Sequence, residues 1–176
     1  MTHIAELVEE SITELEQKNQ ELDGFNVCFI RIDGTPKSQP RHRYSKVGGF
    51  VRNYDPASKD KKIFRSKLKN YSLRRATGCV CLSITFYMPR PKSHYRTGKY
   101  KNKLKATSPD LHIIKPDIDN LVKFVMDCGI GIMWDDDSII CQLETRKVYS
   151  KHPRTEIEYW EFPEDESWNQ DKKIPY

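Results

Sequence analysis

The stretch GCVCLSITFYMP, residues 78–89, constrains the chain more than any other. Apolar side chains occupy both alternating sets of positions through its middle. A strand built this way needs cover on both faces, which places it in the interior of a sheet. Other segments supply partners. FNVCFIRID (25–33) reads as a strand closed by Gly34 and Pro36. SIICQLETRKVY (138–149) alternates Ile139, Cys141 and Leu143 against Gln142, Glu144 and Arg146, and RTEIEYWEF (154–162) alternates too. GFVRNY (49–54) is a short strand after a Gly48-Gly49 turn. Between the strands, PASKDKKIFRSKLKNYSLRR (56–75) predicts a helix with a thin apolar stripe of Ile63, Leu68 and Tyr71. Ile118, Leu121, Val122, Val125 and Met126 fall at i, i+3, i+4, i+7 and i+8 and give a complete helical stripe. Pro116 suits the first turn of that helix, and Gly129 or Gly131 its end.

At 176 residues the chain is one domain's length, and no apolar run approaches the ~20 residues of a membrane helix. The first residues are acidic and amphipathic, unlike a signal peptide, so a cytoplasmic location with no membrane partner is expected. The five cysteines show no CxxC pair and no Cys/His ligand spacing, which argues against zinc and for buried, reduced thiols.

Charge is strongly segregated. Residues 1–23 hold seven acids against Lys18, so the remainder carries +11 while the whole chain carries +5. Residues 37–75 contain thirteen basic residues against Asp55 and Asp60; residues 89–115 contain eight against Asp110. Two basic blocks of this kind suit a polyanion whose phosphates displace counterions. From the first block, Arg41, Arg43, Lys46 and Arg52 are candidate DNA contacts. The second, a polar stretch without periodicity that reads as a mobile loop, offers Arg90, Lys92, Lys99, Lys101, Lys103 and Lys105, with Tyr95 and Tyr100 among them.

Against this basic background, KPDIDNLVKFVMDCGIGIMWDDDSII (115–140) gathers six aspartates and no glutamate. Asp119, Lys123 and Asp127 share one side of the helix at i, i+4 and i+8, and Asp117 lies in its first turn. A helix–turn–strand return can bring Asp135, Asp136 and Asp137 back towards the helix start. Either group alone is ordinary, as helix N-terminal acids or as a turn. Together, short carboxylates on rigid elements supply the oxygen ligands a hard cation such as Mg²⁺ takes, and a lysine one turn away can neutralise a phosphate.

KPDIDNLVKFVMD followed by GIMWDDDSII resembles the RusA family of Holliday-junction resolvases, found in bacteria, phages and prophages, over roughly residues 25–162. The resemblance implies Asp117, Asp119 and Asp137 as catalytic, metal-holding carboxylates and Lys123 as the essential lysine. Asn120 matches the motif asparagine, Asp127 a further acid of the helix, and Lys147 a recurrent basic position counted with the DNA contacts. The triple aspartate leaves Asp136 as an alternative ligand by one step of register, and Ile139 stands where such sequences usually carry Gln. The implied fold is α+β: a compact two-layer domain with a small mixed four-stranded sheet and helices on one face, acting as a homodimer. The implied activity is a Mg²⁺-dependent endonuclease, with Mn²⁺ as substitute, that nicks four-way DNA junctions symmetrically in recombination and repair. A nuclease acting on flaps and forks, or an inactive DNA-binding accessory protein, are the alternatives.

Residues 1–23 lie outside the resemblance. Residues 4–22 read as an extra helix whose Ala5/Ile12/Asn19 and Val8/Leu15/Leu22 positions form either an a/d seam for self-association or the apolar face of an ordinary amphipathic helix packed on its own domain. The nuclease domain is then 24–162, and 163–176 a tail with little to bury.

Overall fold

A computed structural model describes residues 27–41, 43–47 and 50–162. The helix expected over 1–23, the Gly48-Gly49 turn and the tail 163–176 lie outside the described residues. The elements are β1 (Val27–Asp33), β2 (Arg43–Val47), β3 (Phe50–Tyr54), α1 (Ser58–Leu68), β4 (Val80–Pro89), α2 (Ile118–Gly129), β5 (Ile140–Ser150) and β6 (Arg154–Glu161). Strands β2 and β3 form a separate antiparallel pair. The other four make one sheet in the order β1-β6-β4-β5, mixed because β4 runs parallel to β5 and antiparallel to β6.

The apolar run that dominates the sequence is β4, flanked by β5 and β6 as its two-faced character requires. Val80, Leu82, Ile84, Phe86 and Met88 are all buried, while Ser83 and Tyr87 on the opposite face are half-buried. The two faces are therefore unequal. Each large side chain taken fully out of water contributes about 1.5–3 kcal/mol, so this strand anchors the core. The result is the α+β fold expected: among the described residues, a mixed four-stranded sheet with two α-helices.

Both helices are phased differently from the sequence reading. Helix α1 is shorter than 56–75 and buries Phe64 and Leu68, leaving Ile63 half exposed at 50%. Phe64 sets the rotation because its ring meets Phe124 of α2 edge-on, with centroids 5.5 Å apart. Tyr71 follows the helix, and its hydroxyl donates to Arg31 O at 2.6 Å, fixing the helix exit to β1. Helix α2 buries Leu121, Val122, Phe124, Val125 and Cys128, while Ile118 is exposed and Met126 half-buried. Its stripe is thus turned towards Phe124. At its end Gly129 is required by space, since a Cβ there would run into the Trp134 ring. Gly131 takes φ +73°, a left-handed conformation that suits glycine.

The cysteines correct the expectation of five reduced thiols: Cys79 and Cys141 form a disulfide. Val80 stands opposite Ile140 where parallel β4 and β5 begin, which places the two cysteine Cα atoms 5.9 Å apart. Only the strand register creates that proximity. Cys28, Cys81 and Cys128 are free, and burial pushes the Cys128 thiol up to about 12.

The basic segment after β4 is also more ordered than its composition suggests. It contains 3-10 turns at Lys92–His94 and Gly98–Tyr100 and closes on itself through Arg96 N–Lys103 O and Lys105 N–His94 O bonds of 2.9 Å each. Its base surrounds Tyr149 of β5, whose ring lies 4.7 Å from His94, 4.6 Å from His112 and 5.4 Å from the Arg90 guanidinium. Histidine and arginine provide the packing that apolar periodicity does not reveal.

Candidate active site

Pro116 and Asp117 lead into α2, and Asp117 is its N-cap residue with extended backbone angles. Its side chain makes no capping bond, so this exposed carboxylate is not engaged in closing the helix. Asp119 follows in the first turn, exposed, and accepts from Asn120 Nδ2 at 3.3 Å. Lys123 stands one turn further on, exposed as well. Among the described residues, Asp117, Asp119, Lys123 and Asp137 form no ion pair.

The three consecutive aspartates have three different environments. Asp135 pairs with Arg75 at 3.0 Å. Asp136 caps the 3-10 turn Asp137–Ile139 by accepting from Ser138 N at 2.9 Å, and the Ser138 hydroxyl, together with that amide, holds its carboxyl below the usual range. Asp137 lines a cleft of about 350 Å³ between α2 and β5 together with Asp119 and Lys123. Asp117 and Asp136 are outside the cleft lining. Ile118, Val122, Met126 and Leu143 make its apolar wall, completed by Thr145. The phase of α2 explains Ile118 and Met126 there: the rotation that buries Phe124 and Cys128 leaves them at the cleft. Leu143, expected on the same face of β5 as Ile139 and Cys141, is 44% exposed at this site. Sequence alternation gives the face of a strand but not which end of that face a helix covers, so Leu143 and Thr145 could not be read as cleft residues. Ile139, which replaces the usual Gln, is partly buried against the core.

Among the described residues no three carboxylate, imidazole or thiolate groups converge as a ready-made metal cage. The donors present are nevertheless all carboxylate oxygens. Mg²⁺ keeps several waters and is commonly held by one or two carboxylates plus substrate phosphate. Asp119 and Asp137 across the cleft fit that requirement, and Asp117, outside the lining, precedes Asp119 by two positions at the start of α2.

Other sequence candidates fall into two groups. Lys92, Lys99, Lys101, Lys103 and Lys105 are exposed on the folded loop, with Lys99 and Lys103 over the Tyr100 ring at 5.1 and 5.5 Å. Arg41 is exposed ahead of the β2–β3 pair, which carries Arg43, Lys46 and Arg52. Arg90 and Lys147 are instead engaged internally. Arg90 bonds Pro109 O at 2.7 Å and Asp110 at 2.9 Å with only 5% of its side chain exposed. Lys147 Nζ donates to Ile114 O and Pro116 O, each at 2.7 Å. Asp127 is neutralised by Lys61 of α1 at 2.8 Å, and Lys61 also meets Asp55 at 2.9 Å.

The family described as Endodeoxyribonuclease RusA matches residues 33–159, which include every element from β2 to β5 and with them Asp117, Asp119, Lys123 and Asp137. The chain belongs to the RusA family. A relative, the uncharacterized protein YqaN of Bacillus subtilis (strain 168), is 34% identical over 136 residues, covering 72% of this chain and 90% of that one. RusA proteins are endodeoxyribonucleases, so DNA is the partner and phosphodiester cleavage the chemistry. Among the described residues no helix is long and apolar enough to cross a membrane.

Proposed function

We propose that this RusA-family protein is a Mg²⁺-dependent resolvase of four-way DNA junctions, working as a homodimer that nicks two equivalent strands. The observation that carries the reading is the convergence of Asp119, Lys123 and Asp137 on one cleft, although they arise from a helix and a strand-opening turn eighteen positions apart in sequence at the extremes. Asp119, Asp137 and Asp117 would hold the metal, and when bound it supplies an activated water and a counter-charge for the phosphoryl oxygens. Asp137 is assigned over Asp136 because the Asp136 carboxylate is engaged by Ser138. Lys123 brings a positive charge to the phosphate as its negative charge grows, and the apolar wall lowers the local dielectric so that this attraction is stronger than in water. The exposed lysines around Tyr100 hold the flanking backbone, and the tyrosine ring offers a stacking surface to unpaired bases. Two copies related by a two-fold axis would present two such clefts to two strands of like polarity.

Cleavage of a synthetic four-way junction, beside linear duplex and flap substrates with and without Mg²⁺, tests the proposal. Paired symmetric nicks in the junction, dependent on Mg²⁺, are the expected result. Equal cutting of flaps makes the protein a broader branch nuclease, and binding without cutting removes the catalytic reading. Sedimentation of the same sample checks the dimer.

A further inference from the structure

Lys147 lies on β5, ten residues beyond Asp137, and its charge alone would suit a phosphate. Its ammonium is directed elsewhere. It donates to the carbonyls of Ile114 and Pro116, both at 2.7 Å, and Pro116 immediately precedes Asp117. The same strand holds the preceding residues by backbone bonds: His112 N donates to Lys147 O at 3.0 Å and Tyr149 N to Asp110 O at 2.8 Å. Burial, helped by the nearby Lys147 charge, lowers the His112 pKa, which disfavours a second positive charge beside the lysine. On the other side of the entry, Gln39 N donates to Asn120 O at 2.8 Å. Asp117 has no capping bond of its own. Its placement therefore depends on what fixes the chain just ahead of it.

We infer that Lys147 is a positioning residue for Asp117 and not a DNA contact: it clamps the Ile114–Pro116 segment so that the carboxylate at the start of α2 is held towards the metal site. This rests on the metal-dependent reading above. One strand then serves both acids: β5 begins directly after the turn that carries Asp137, and Lys147 further along it fixes the approach to Asp117. A charged donor is suited to the task, since an ammonium bonded to two carbonyls makes stronger bonds than a neutral group. Partners that orient metal ligands from behind typically change metal affinity by about 10- to 100-fold when removed.

The test uses the full chain, with Mg²⁺ as the probe and no DNA present. Thermal unfolding is followed across a Mg²⁺ titration for the wild type, Lys147→Met, which keeps the arm and loses the donors, and Lys147→Arg, which keeps donors. The Mg²⁺ concentration giving half of the stabilisation should rise about 10-fold or more in Lys147→Met and stay near wild type in Lys147→Arg. Junction affinity without metal, and its salt dependence, should be unchanged in both. An unchanged Mg²⁺ midpoint with a salt slope flatter by about 0.9 makes Lys147 a phosphate contact and overturns the inference. A lower melting temperature with an unchanged midpoint makes it a plain structural tie and overturns it equally. If Lys147→Met does not fold, Lys147→Gln, with one donor group on a shorter arm, must show the raised midpoint or the inference fails. A wild type that gives no Mg²⁺ response at all removes the metal reading itself; a responding wild type matched by its Lys147→Met variant removes the inference alone.

Discussion

The two ends of α2 treat their acids in opposite ways. Beyond the middle of the helix two carboxylates have a cation, Asp127 with Lys61 at 2.8 Å and Asp135 past the C-terminus with Arg75 at 3.0 Å, while Asp136 is engaged by Ser138 N. At the N-terminal end Asp117, Asp119 and Asp137 have no such partner among the described residues, and neither has Lys123. Stability alone gives no reason for leaving like charges uncompensated where cations are plentiful. The chain places thirteen basic residues in 37–75, yet those that reach α2 go to the far end. The contrast separates acids that hold the fold from acids available to a ligand.

The largest effect that can break this division comes from the N-terminal end. A bound metal supplies several kcal/mol of transition-state stabilisation, so Asp119→Asn or Asp137→Asn should lower single-turnover cleavage by about a hundredfold or more. Junction binding should survive or improve, because repulsion of phosphate is removed. Asp136→Asn should cut normally, since its amide oxygen can still accept from Ser138; a dead Asp136→Asn beside an active Asp137→Asn would exchange their roles. Next comes Lys123→Ala, expected to reduce the cleavage rate by about 10²-fold while junction affinity changes little, as for loss of one charge-stabilising group. A variant that loses affinity and rate together would place Lys123 in binding.

The exposed lysines extend the comparison to cations, because they contrast with the engaged Arg90 and Lys147. Replacing Lys99, Lys101, Lys103 and Lys105 by Ala should weaken junction binding and flatten the log–log salt slope by about 0.9 for each phosphate no longer engaged. An unchanged slope would take the loop off the DNA. The smallest effect belongs to the C-terminal end. Burial acts to raise the Asp55 pKa, but bonds from Lys61, the Ala57 amide and Gln39 outweigh it and hold the carboxyl below its usual range. Burial likewise acts to lower the Lys61 pKa, while Asp127 and Asp55 raise it above the usual lysine value. The carboxylate contribution is therefore present above pH ~3.9 and fades as pH falls through the depressed folded value. The lysine contribution is complete below pH ~10.4 and fades as pH rises through the elevated one. Lys61→Met should cost about 1–3 kcal/mol at neutral pH, read by urea unfolding, and leave cleavage by the folded protein intact. Loss of cleavage there would erase the distinction between the ends.

Much of this arrangement is legible in the sequence. The two-faced run of β4, the alternation of β5 and β6 and the stripe of α2 are local patterns, and each produces its element. The acids of α2 and the lysine among them are equally local. What the sequence could not supply depends on partners far along the chain. Phe64 against Phe124 rotates both helices, the facing starts of β4 and β5 join Cys79 to Cys141, and Arg90 with two histidines folds a loop that composition makes look mobile. The triple aspartate shows the same limit. Three identical neighbours differ only through Arg75, Ser138 and the α2 cleft, and the first and last of these come from other elements.

The parallel pairing of β4 with β5 has a consequence for the time order in which the protein becomes itself. Parallel neighbours need a crossover, and here the crossover is the whole of residues 90–139, basic loop and α2 included. Closing so long a connection is among the slow steps of a folding reaction. Asp137 stands at the far end of that crossover and Asp119 within it, so the acids meet only once β5 docks. A partly folded chain would carry the exposed lysines of the basic loop before Asp119 and Asp137 meet at the cleft. On dilution from urea, junction binding is accordingly expected to return ahead of cleavage, and a simultaneous return would show that the centre forms within the crossover itself.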